Sequence, residues 1–98
     1  MTLPIVEEIV ALPSHADRAE WMLRCPDWHV VGFIGGIRKA LELTGFPEAV
    51  AYLDARSVCL QAVRTREGAI PNTILVPLYI RESEMREAAR RRDGAKNG

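Results

Sequence analysis

Lysine is nearly missing from this sequence: eleven of its thirteen basic residues are arginine, and only Lys39 and Lys96 are lysine. Net charge is missing too, because thirteen acidic residues balance the thirteen basic ones. That balance excludes a globally basic nucleic-acid binder, though not a local basic patch. Cysteine is limited to Cys25 and Cys59, too few for the disulfide framework of a small secreted domain, so two reduced, partly buried thiols are expected. No apolar run approaches the ~20 residues that cross a bilayer. The opening stretch from Met1 to Pro13 is broken by Glu7 and Glu8 and lacks the basic start and small-residue cleavage site of a signal peptide. A cytoplasmic protein with no membrane contact is therefore expected. Internal repeats and low-complexity segments are absent.

What is there is apolar. Hydrophobic residues make up 48% of the 98 positions, which is the composition of a folded domain rather than a disordered chain. Residues 1–94 are expected to form one compact domain and 95–98 a flexible tail. A domain this short buries roughly two-thirds of the surface its unfolded chain exposes, leaving little room for a deep pocket.

Local patterns divide the chain. Leu3–Leu12 (LPIVEEIVAL) fits a helical stripe through Ile5, Val6, Ile9 and Val10, but its β-branched content favours a strand. Ser14 stands three residues before Asp17, as in a capping box, and predicts a first helix from Ala16 to Arg24 that Pro26 ends. Val30, Ile34, Ile37 and Leu41 predict a second helix over Asp27–Thr44, with Gly45 as its stop. Gly32, Gly35 and Gly36 weaken its first half, where Trp28–Ile34 as a strand is the alternative. Gly32, Gly36 and Ala40 form a small-residue ridge suited to close helix packing. Pro47 opens a third helix expected to run from Glu48 to Arg66, its apolar arc including Val58, Cys59, Leu60, Ala62 and Val63. Thr73–Ile80 (TILVPLYI) predicts a strand, placed at an edge by Pro77. Ser83 then caps a last helix, Glu84–Arg92, stopped by Asp93-Gly94. The expectation is an α+β fold: a small helical domain of three to four helices with two short strands. An all-α fold is the alternative.

Candidate chemistry is sparse. His15, Cys25, His29 and Cys59 supply the atom types of a tetrahedral zinc site, but only Cys25 and His29 are close in sequence, so two core cysteines and two surface histidines is the favoured reading. Cys25 with His29 is also the one nucleophile–base pair for thiol chemistry. Over about fifteen residues, Val31–Gly45 resembles the KH module of RNA-binding proteins, with Gly32–Gly35 as the G-x-x-G loop and Thr44-Gly45 closing the helix. Phe33 and Ile34 are apolar where a loop clamping a nucleic-acid backbone needs polar or basic groups, so the match is rejected. Arg86, Arg90, Arg91 and Arg92 make a basic end on the last helix, where cations also suit the helix dipole. Trp21 and Trp28 flank the corner at Pro26, one expected buried and one partly exposed.

The sequence thus implies no cofactor and no metal. It predicts a small non-enzymatic protein-interaction module, with Trp21, Trp28, Arg86, Arg90, Arg91 and Arg92 as candidate contacts and a homodimer through the strand Thr73–Ile80. Nucleic-acid contact through the last helix is the alternative, and thiol or metal chemistry at Cys25 a lesser one. In size and arginine content the chain resembles the small proteins of bacterial mobile elements, some of which, such as anti-CRISPR proteins, inhibit host protein complexes. That resemblance implies an inhibitor role and assigns no residue to it.

Overall fold

The computed structural model describes residues 4–62 and 64–97, the last three by backbone alone. Leu3 of the first predicted strand and Val63 of the third helix lie outside the described residues, as do Gly98 and the side chains of the predicted 95–98 tail. Five helices follow one another: α1 (Pro4–Ala11), α2 (His15–Arg24), α3 (Asp27–Leu43), α4 (Pro47–Leu60) and α5 (Asn72–Asn97). The described residues contain no strand, so the α+β expectation is corrected to an all-helical fold.

The first correction has a simple cause. A strand alternates faces, and would set Glu7 between Ile5 and Ile9 and Glu8 between Val6 and Val10. Only the helical period separates the acids from the aliphatics. In α1, Ile5, Val6 and Ile9 are buried together, and Pro4 stands first, where its missing N–H costs nothing. The second strand then had no partner, and an unpaired strand leaves its backbone groups unsatisfied. Thr73–Ile80 instead belongs to α5, whose first turn is closed by the N–H groups of Ile74 and Leu75 donating to the Pro71 carbonyl at 2.9 and 3.1 Å. Pro77 sits inside this helix, and no separate helix begins at Ser83.

Other boundaries follow the local signals. Ser14 caps α2, its hydroxyl accepting from the Asp17 N–H at 3.1 Å. Gly45, at φ +69°, ends α3 in a Schellman turn: the Phe46 N–H reaches the Leu41 carbonyl and the Gly45 N–H the Glu42 carbonyl, while Phe46 is fully buried. α4 stops at Leu60 rather than Arg66. Beyond it, a turn closed by Gly68 N–H to Thr65 carbonyl (2.9 Å) takes over.

α3 and α4 form an antiparallel hairpin, and α5 returns along α4. Arg92 near the end of α5 meets Glu48 at the start of α4 at 2.9 Å. α1 covers α3, and α2 lies across α5. The core between them holds Ile9, Met22, Val30, Ile37, Leu41, Phe46, Leu53 and Met85. Two helix ends are closed by arginine forks. Arg18 donates to the carbonyls of Ile9, Val10 and Leu12, the last turn and exit of α1. Arg56 does the same for α2. Such uses require the planar fork that lysine lacks.

Asp93, expected as part of a helix stop, lies within α5 and caps a different helix. Its carboxylate accepts the N–H groups of His15 and Ala16, both at 3.0 Å, at the start of α2. Burial raises its pKa, but those two N–H bonds, with His15 and Arg18 nearby, more than offset this and hold it below the usual value. A depressed folded pKa means stability that is present above the unfolded value of about 3.9 and fades as pH falls through the folded one. Asp93→Ala is therefore expected to cost about 1 kcal/mol at neutral pH. Urea titrations of both proteins should show the gap narrowing below pH ~4.

Of the expected ridge Gly32, Gly36 and Ala40, the Gly32 position is not used for close packing, since a Cβ built there meets nothing within 4 Å; Gly35, outside the ridge, is equally open. Gly35→Ala should therefore raise stability by up to about 1 kcal/mol, seen as a rise of a few degrees in thermal midpoint.

Candidate functional site

Trp21 and Trp28 fall at the α2–α3 corner, where Pro26 forces the chain out of α2 and Asp27 starts α3. Neither is buried. Trp21 is half-buried against the core, and Trp28 is 71% exposed, which corrects the expectation that one of them completes the interior. His29 stands between them. Its ring centroid lies 5.1 Å from Trp28, 6.2 Å from Trp21 and 4.8 Å from Phe33. Phe33 has non-helical angles (φ −127°, ψ 23°), a kink in α3 beside Gly32. Three rings therefore gather on His29, and the cluster is open to water at Trp28 and at Phe33, which is 42% exposed. Isolated exposed apolar side chains need no explanation, but a contiguous cluster does.

The frame beneath the rings is tied by side-chain hydrogen bonds. Arg56, the one buried charged residue among the described residues, extends from α4. Its guanidinium donates to the Met22 carbonyl at 2.6 Å, to the Cys25 carbonyl, and to Asp27 Oδ1 at 2.8 Å. One side chain thus closes the end of α2 and fixes the first residue of α3. Trp21 Nε1 donates to Glu8 Oε1 at 3.0 Å, tying the corner to α1.

Beside the ring cluster opens a cleft of about 360 Å³ lined by Glu8, Trp21, Arg24, Cys25, Pro26 and His29. Cys25 is buried there and free. Burial pushes its thiol up; the Arg56 guanidinium opposes this, while Glu8 and Asp27 add to it, and the net shift is upward. A raised pKa disfavours the thiolate that nucleophilic and metal chemistry both require. Cys59 is buried in α4, and His15 lies against Phe46, 4.5 Å between ring centroids. Among the described residues no three His, Cys, Asp or Glu side chains gather as a metal site would need.

Arg86, Arg90, Arg91 and Arg92 lie elsewhere, on the second half of α5, and each faces a carboxylate. Arg86 is 3.7 Å from Glu82 and 3.9 Å from Glu20. Arg90 pairs with Glu87. Arg91 and Arg92 share Glu48, at 3.8 and 2.9 Å. The hydrogen bond to Arg92, aided by both arginine charges, holds the Glu48 carboxyl below its usual range against the effect of burial.

Sequence reasoning found the two tryptophans and missed Arg56, His29 as the bridge between rings, and the exposure of Val31 and Phe33. Helical spacing from His29 to Phe33 was available as a signal for that contact. Nothing in the local pattern around Arg56 marks its burial. No protein family, curated protein or solved structure matches the chain. No helix among the described residues is long and apolar enough to cross a membrane.

Proposed function

We propose that this chain is a small non-enzymatic protein-interaction module whose contact surface is the aromatic corner of Trp21, Trp28, His29 and Phe33. One observation carries the proposal: a cluster of four rings centred on His29, with Trp28 largely in water, held on a frame tied by Arg56. Tryptophan and arginine are the residues that most often carry interface energy, and a pre-ordered surface loses little entropy on binding. The adjoining cleft, with Arg24 and Glu8 at its walls, suits one inserted side chain of a partner. Arg86, Arg90, Arg91 and Arg92 have internal carboxylate partners, which offsets the field a nucleic acid would respond to. An inhibitor of a larger protein complex is one form such a module takes: a rigid surface that occupies a site on its target.

Affinity capture from the native lysate tests this, with nuclease-treated and untreated samples and wild-type and Trp28→Ala baits compared by mass spectrometry. The expected result is a stoichiometric protein that survives nuclease and is lost with Trp28→Ala. Capture that disappears on nuclease treatment, or that Trp28→Ala retains in full, contradicts the proposal.

A further inference from the structure

The first half of α5 is the other surface without a partner. From Asn72 to Glu84 no residue is buried, although Ile74–Ile80 is apolar throughout. Ile74, Leu75 and Leu78 are half-buried, Leu78 against the core, while Val76, Tyr79 and Ile80 are 52%, 58% and 53% exposed. A helix of 26 residues spans roughly 39 Å, and only its second half buries side chains, Met85, Ala88 and Ala89. The radius of gyration, 14.1 Å, exceeds the ~13 Å of a compact domain of this length, as such an extended helix requires.

The outward row is not a random apolar patch. Thr73, Val76, Ile80 and Ser83 follow one another at intervals of three, four and three, the spacing of a coiled-coil seam. The same intervals continue to Glu87 and Arg90, where the seam turns charged. The apolar part is therefore two layers long, with a small hydroxyl residue at each end, and reads alike in both directions.

We propose that this row docks against the same row of a second copy of the chain, in an antiparallel two-fold pair. In that register Val76 of each copy lies opposite Ile80 of the other, and Thr73 opposite Ser83. The two-fold axis passes at the level of Leu78, and Tyr79 flanks the seam. A two-fold contact needs a self-complementary surface, and this palindromic row is one. The antiparallel arrangement also opposes the helix dipoles and sends the charged second halves of α5 to opposite ends. Two chains of zero net charge meet without overall repulsion. Three turns of one helix cover less than the ~800 Å² per partner of a stable interface, so the pair is weak and concentration-dependent. It replaces the strand-edge route to a homodimer, which the helical fold removes.

Sedimentation velocity from about 1 μM to about 1 mM, the range over which so small an interface dissociates, provides the test. The average mass of the wild type is expected to climb toward twice the monomer value, and that of a Val76→Glu/Ile80→Glu variant to stay monomeric with an unchanged helical spectrum. The register has its own readout. In an equimolar mixture of Val76→Cys and Ile80→Cys chains under mild oxidation, the mixed disulfide is expected to dominate over either homodisulfide. A wild type that stays monomeric throughout, association unaffected by the double variant or abolished instead by Trp28→Ala, or a prevalence of homodisulfides would overturn the proposal.

Discussion

Replacing Arg56 with alanine is expected to cost about 3–5 kcal/mol of folding stability, from two carbonyls left without a donor and from the lost packing of its buried stem. Three acceptors lose their donor at once. Two are backbone carbonyls, of Met22 and Cys25, at the end of α2, and a buried carbonyl left unsatisfied costs about 1–3 kcal/mol. The third is Asp27, which is 69% exposed and turns to water, so Asp27→Asn should cost far less than Arg56→Ala. Arg56→Lys should not rescue the loss, because a single ammonium cannot reach three acceptors in the guanidinium's fan. Against a total of about 5–15 kcal/mol for a domain, the alanine variant should be close to the edge of folding. Thermal unfolding followed by circular dichroism checks this, with an expected fall of more than about 12 °C in midpoint. A fall of only a few degrees would mean that water replaces the guanidinium freely and that the corner is not held as described.

Trp28→Ala should do the reverse. Its side chain stands mostly in water, so folding stability should change by no more than about 0.5 kcal/mol. Binding to the captured partner should weaken by at least about 2 kcal/mol, roughly thirtyfold in Kd. Phe33→Ala, from a less exposed ring, should show a smaller loss in the same direction. Asp54→Ala on α4, which removes the partner of Arg38, should leave binding unchanged. Isothermal titration with each variant separates these outcomes, and unfolding curves on the same samples show that the fold is intact. The pairing of a neutral stability effect with a large binding effect distinguishes a contact residue from a structural one.

The readable parts of the fold were those where a local signal acts alone. Ser14 with Asp17 and Gly45 followed by Phe46 satisfy particular backbone groups, Pro47 removes a donor that a helix start would leave unpaired, and α2, α3 and the start of α4 stand where these residues place them. α1 was also legible in principle, since only the helical period keeps Glu7 and Glu8 off the face of Ile5, Val6 and Ile9. β-branched content outweighed that geometry, although it is the weaker guide. Thr73–Ile80 was different: with apolar residues at every position but one, no period is visible, and its state depends on whether another strand exists to pair with it. The end of α4 was also hidden, because nothing between Leu60 and Arg66 breaks a helix. At the site, the tryptophans were visible as residue types, whereas their exposure depends on how α2 and α3 meet. That junction is set by Arg56, more than thirty positions away from Met22 and Cys25. The arginine bias was legible as a demand for forked contacts, and the structure shows Arg18 and Arg56 using them within the chain, on the ends of α1 and α2.

The claim that the aromatic corner is a binding surface, open in the free protein and covered in the complex, is tested most directly by acrylamide quenching of Trp28. A Trp21→Phe background leaves it as the single indole. Trp28 is expected to be quenched readily in the free chain and to become protected, with a blue-shifted emission, when the captured partner is added to saturation. An indole that stays as accessible in the complex as in the free chain would contradict the account.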